Sequence, residues 1–158
     1  LPEKIDLLRH TVATLAYRAA KAVRDAPPEF AQFGGETSPR TPARILAHMG
    51  DLFDWAFGLA QGRQAWKDST PLPWRREVDR FFAALEKFDA YLASGVELAC
   101  PPEKLFQGPI ADALTHTGQL TMLRRMAGCA IRGENYFKAH IEAGRAGVEQ
   151  APSKVEFD

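Results

Sequence analysis

Thr41-Pro42-Ala43-Arg44-Ile45-Leu46-Ala47-His48-Met49-Gly50-Asp51-Leu52-Phe53-Asp54-Trp55-Ala56-Phe57-Gly58-Leu59-Ala60-Gln61-Gly62 is the stretch on which the fold turns. Thr41 can cap a helix, and Pro42 suits its first position, where a missing N–H costs nothing. Ile45, Leu52, Trp55 and Leu59 then recur on one side at 3.6 residues per turn, and Gly62 supplies a stop. Residues 42–61 therefore read as one amphipathic helix. Three other stretches carry the same signature. Ile5, Leu8, Val12, Leu15, Ala19 and Val23 form a stripe over about 3–24, ended by Pro27 and Pro28. Val78, Phe81, Phe82, Leu85, Phe88 and Leu92 do so over 73–94, ended by Gly95. Gly108-Pro109 opens a fourth helix over 109–127, ended by Gly128. No run alternates with period two, and β-branched residues are sparse. The expected architecture is all-α, an antiparallel four-helix bundle in a single domain spanning 1–158. Its core should hold Ile5, Leu15, Leu52, Phe81, Leu85, Leu114 and Leu120. The tail 128–158 reads as mostly irregular, with a short helix from Tyr136 to Ala143.

Composition narrows the function classes. Twenty basic residues balance twenty acidic ones, which argues against nucleic acid or an anionic membrane as partner, since each needs a basic surplus or stripe. Apolar runs fall far short of the roughly 18–20 residues of a spanning helix. Lys4, Asp6, Arg9 and His10 interrupt anything resembling a secretory apolar segment. Cys100 and Cys129 are too few for a disulfide framework, and a reducing cytoplasm is the expected location.

Chemistry is expected where polar residues interrupt apolar stripes. His48 falls inside the arc of Ile45, Leu52, Trp55 and Leu59, and Asp51 lies at its edge, one turn from both His48 and Trp55. Asp112 and His116, four apart, share a face with Leu120 and Leu123. Burying such groups costs several kcal/mol unless they are paired or coordinate a metal. One reading is a His–Asp hydrogen bond inside the bundle, with His48 satisfied separately. The other is a two-histidine, one-carboxylate metal site assembled from two helices, with open positions for water or a substrate atom. Spacing alone leaves both open, because it does not make the second and fourth helices neighbours. His10 and His140 read as surface residues, Cys100 as an inert thiol, and Arg124-Arg125 as a solvated or ion-paired doublet, with anion binding as the alternative. Trp66 and Trp74 flank one loop and are placed to cover an end of the bundle.

The order His48-x-x-Asp51-x-x-x-Trp55, then His116-Thr117-Gly118-Gln119, resembles the DinB-like (YfiT-type) four-helix-bundle superfamily. The resemblance extends to Thr41-Pro42, to Leu123–Gly128 and to the tail from Asn135 through Gly147, so it covers most of residues 1–148. It implies a divalent metal held by a histidine of the second helix and two residues of the helix bearing H-x-x-x-H-x-G-Q. Those positions fall on His48, Asp112 and His116. Asp112 stands where the family pattern has histidine, and Thr117 where it has arginine. The resemblance implies zinc or nickel as the ion; the carboxylate hardens the site, which admits manganese or iron as well. The resemblance further implies a homodimer and a metal-dependent transferase that joins a low-molecular-weight thiol to an electrophile, with metal-assisted hydrolysis as variant chemistry. Asp51 or Gln119 would orient a ligand and Trp55 would line the pocket. The alternatives are a non-catalytic metal-binding or stress-response module, and a homodimeric scaffold whose polar core site holds no metal.

Overall fold

Proline starts and glycine stops the helices in the places their chemistry dictates. The computed structural model describes residues 1–158 and contains α1 (Pro2–Val23), α2 (Pro42–Ala60), α3 (Trp74–Ala93), α4 (Pro102–Leu105) and α5 (Ala111–Met126). The molecule is all-α apart from one two-stranded ribbon. Thr41 Oγ1 accepts a hydrogen bond from Arg44 N at 3.3 Å, closing the first turn of α2 as its sequence requires. Gly62, Gly95 and Gly128 leave their helices with φ of 83°, 77° and 80°, a left-handed backbone that a Cβ would strain.

The fourth helix departs from expectation. Helical backbone begins at Pro102, and α4 runs through a π-helical turn, Phe106–Ile110, directly into α5. Pro109, read as a helix start, sits inside this turn. Proline has no N–H to give, and its ring crowds the carbonyl four residues back. A widened turn relieves that clash without breaking the helix.

The long helices pack in a square, α1 against α3 and α5, α2 against α3 and α5. Lys4 bonds Glu103, and Arg124 bonds the carbonyls of Ala22 and Arg24, so α1 runs parallel to α4–α5. Arg80 bonds the Ala47 carbonyl at 2.8 Å and Tyr91 packs on Phe57 at 5.5 Å, so α2 and α3 are parallel too. Arg9 pairs with Asp89, and Ala99 N bonds the Ala60 carbonyl, which makes α1/α3 and α2/α4–α5 antiparallel. The expected antiparallel arrangement thus holds for two neighbouring pairs and not for the other two. The cause is the 61–73 connection. Extended, it reaches about 40 Å, more than the length of α2 at about 28 Å, so the chain returns along α2 before α3 begins.

Leu15, Leu52, Phe81, Leu85 and Leu120 are buried in one continuous core, whereas Ile5 and Leu114 are half-buried on its rim. Phe53 stands at its centre with ring centroids 6.1 Å from Phe81 and 5.7 Å from Phe88. No helix is long and apolar enough to cross a membrane.

The tail is largely irregular but not loose. The expected helix shrinks to one 3-10 turn, Tyr136–Lys138, and β1 (Gly133–Glu134) pairs antiparallel with β2 (Glu156–Phe157). The Phe157 ring rests on Gly133, where a Cβ would lie 2.6 Å from it and push the ring aside. Lys21 anchors the ribbon to α1, donating to Glu134 Oε1 at 2.7 Å and Glu156 Oε2 at 2.8 Å, and Tyr17 donates to the other Glu134 oxygen. Burial pushes the Glu134 carboxyl up, but the bonds from Lys21 and Tyr17 outweigh it and hold its pKa below the ordinary value. Burial likewise works against the Lys21 charge, yet the two glutamates raise its pKa on balance.

Candidate metal centre

Contact between α2 and α5 brings the polar stripe residues of both helices together, a hydrogen-bonded cluster with the geometry of a metal site. His48, Asp112 and His116 offer ligand atoms that all lie within 4.8 Å of one another. Asp112 Oδ2 stands 3.2 Å from His48 Nε2 and 3.4 Å from His116 Nε2. Donors bound to a tetrahedral zinc at 2.0–2.2 Å lie about 3.4 Å apart, so two edges of the triangle already have coordination length. His116 is nearly buried, its side chain 8% exposed, whereas His48 at 34% and Asp112 at 46% open the group to solvent on one side. Such a group can hold a metal ion. Three protein donors then leave a coordination position for an outside ligand.

Gln119 backs the buried histidine, its Oε1 2.7 Å from His116 Nδ1. In the tautomer protonated at Nδ1 the ring donates to that oxygen and Nε2 is free to coordinate an ion. Two imidazole nitrogens and a carboxylate oxygen are donors that divalent cations such as zinc accept. The donor set therefore fits a divalent cation.

The other predicted residues are placed differently from one another. Trp55 is half-buried and meets Trp66 edge to face at 5.7 Å, and Trp66 in turn meets the His48 ring at 5.4 Å. Trp66 thus covers the centre itself, a role for which the sequence carried only its position in a loop. Asp51 does not touch the centre. Its oxygens accept from Ser69 N at 2.9 Å, Ser69 Oγ at 2.6 Å and Arg80 Nη2 at 3.0 Å. Its part is to tie down the connection that carries Trp66. Arg80 lies flat across Gly50, where a Cβ would come within 2.9 Å of its Cζ. Burial lowers the Arg80 pKa, and the bonds and charges of Glu77 and Asp51 more than restore it.

Arg124 is not solvated, as its sequence setting implied, but buried. It donates to the carbonyls of Cys129, Ala22 and Arg24 and so joins the ends of α1 and α5. Thr117 is buried as well and donates to the Ala113 carbonyl at 2.8 Å. Trp74 packs on Phe30. His10 and His140 are exposed, and both cysteines are free. Burial raises the Cys100 thiol pKa, in keeping with an inert residue. No family model, no curated protein and no solved structure matches the chain.

Proposed function

We propose that this protein binds a divalent metal through His48, Asp112 and His116 and uses it to transfer a low-molecular-weight thiol to an electrophile. The observation that supports the reading is the three-donor group, with two edges of coordination length and one side open to solvent. A structural zinc site is closed by four protein ligands, whereas a catalytic one keeps a position free. When bound, the ion would supply the Lewis acidity that keeps a thiol ionised near neutral pH. In the transfer the thiol proton leaves to water, a carbon–sulfur bond forms, and the electron pair of the broken bond departs with the leaving group. Gln119 fixes the ring of His116, while Trp55 and Trp66 give the approaching electrophile an apolar, aromatic wall. The resemblance to the DinB-like superfamily supports the same chemistry and adds a cytoplasmic homodimer as its setting. Zinc or nickel is the proposed ion.

Metal content of tag-free protein and calorimetric titration with zinc, nickel and manganese test the proposal. One ion per chain is expected, lost in His116→Ala with the helical circular dichroism retained. Turnover of a chromogenic aryl halide with a small thiol, absent in the same variant, tests the second half. Failure of all three ions to bind refutes the metal reading and leaves an unmetallated polar cluster. Binding without turnover leaves a non-catalytic module.

A further inference from the structure

A second cavity, of about 430 Å³, lies between α1, α5 and the C-terminal ribbon. It uses the other side of α5 from the metal centre. Thr117, Thr121 and Arg125 border the cavity while Asp112, His116 and Gln119 turn to α2, about half a turn away at 100° per residue. Arg18, Arg125 and Arg132 surround it. The Arg18 guanidinium lies 4.0 Å over the Tyr136 ring, and neither Arg18 nor Arg125 forms an ion pair. Arg132 reaches Glu156 at 3.6 Å, but Lys21 already holds that carboxylate at 2.8 Å. Glu134, the one acidic residue of the lining, has both oxygens engaged by Tyr17 and Lys21. Three guanidiniums thus line one concave place with a single, already paired carboxylate, on a chain of zero net charge.

The walls are held in place. The buried Lys21–Glu134 pair fixes the ribbon, Phe157 is seated on Gly133, and Arg124 clamps the helix ends beside Arg125. Guanidinium groups engage an oxyanion through paired, charge-assisted bonds, each of them strong. Leu114, Ile131 and Phe157 add apolar surface next to the charges.

We propose that this cavity binds a small organic phosphate, its dianionic group held by Arg18, Arg125 and Arg132 and its apolar part resting on Leu114, Ile131 and Phe157. The site is independent of the metal centre. Calorimetric titration of the full chain with phenyl phosphate, inorganic phosphate and benzoate tests it. Saturable one-to-one binding of phenyl phosphate is expected, tighter than that of either other probe and weakened by added salt. Arg125→Ala and Arg18→Ala should each weaken it about tenfold. Both arginines are exposed, and circular dichroism and bound-metal content should stay as in the parent. His116→Ala should bind phenyl phosphate like the parent, so this proposal and the metal proposal fail separately. No saturation up to about 10 mM, unchanged binding in Arg18→Ala/Arg125→Ala, tighter binding of benzoate, or loss of phosphate binding in His116→Ala would each overturn it.

Discussion

Replacing Gln119 by leucine isolates what the structure asks of the group behind the metal ligand. Gln119 is exposed, and its one side-chain bond is the 2.7 Å contact to His116 Nδ1. Leucine keeps the bulk and the helical propensity, so the fold loses almost nothing, within about 0.5 kcal/mol for a surface change. The metal centre loses the acceptor that assigns the His116 proton to Nδ1 and aims Nε2 at Asp112. Removing such an outer partner typically weakens metal binding about 10- to 100-fold, equivalent to about 1.4–2.7 kcal/mol. Zinc affinity measured by competition with a chromogenic chelator should fall by that factor in Gln119→Leu, with the urea midpoint of the apo protein unchanged. Gln119→Glu, which restores an acceptor, should recover most of the loss. Equal zinc affinity in the parent and Gln119→Leu would refute the reasoning, since His116 would then be oriented by packing alone.

Glu134→Gln should cost about 1–3 kcal/mol in urea unfolding, because Lys21 loses the more buried of its two carboxylates and keeps Glu156. Glu134 has a lowered pKa in the folded state, so its stabilisation is complete above the ordinary glutamate range and is lost as pH falls through the folded value. Lys21 has a raised pKa, so its share is complete below the ordinary lysine value and is lost only as pH rises through the still higher folded value. Acid unfolding of the parent should therefore show a carboxylate-linked loss that Glu134→Gln lacks, measured by circular dichroism across the pH range. Phe53→Ala, at the centre of the aromatic core, should cost about 3–5 kcal/mol by chemical denaturation. Ser69→Ala removes one bond to Asp51 and should loosen the connection over the centre, read as increased quenching of Trp66 fluorescence by acrylamide with little change in unfolding free energy.

Local signals carried the helices. Thr41, Pro42, Gly62, Gly95 and Gly128 act through backbone geometry within a turn or two of themselves, so the first three long helices begin and end within one residue of expectation. Pro109 shows the limit of that logic. Its ring forbids an ordinary turn, but whether the chain breaks or widens depends on the burial of Leu105 and Ile110 on either side, both held in the core. Helical phase put His48, Asp112 and His116 beside the apolar stripes; His116 is buried, whereas His48 and Asp112 lie at the rim of the core. Phase could not say which neighbour each face would meet. Asp51 and His48 share one arc of α2, yet α3 supplies Arg80 to the first and α5 supplies Asp112 to the second. That division follows from the square in which α2 touches both helices, and the square follows from the long 61–73 connection. The same connection carries Trp66 over His48. The buried pair of Lys21 and Glu134 lies still further from sequence logic, its members 113 positions apart along the chain. A lysine on a helix and a glutamate in a tail each read as solvated, and only the folded tail removes both from water. The sequence by itself determined the helices and the helix faces that carry His48, Asp112 and His116, because those depend on local sterics and on the period of the helix. Their convergence, the direction in which α2 and α3 run, and the arginine-lined cavity were decided by tertiary structure, because each depends on which distant segments pack together.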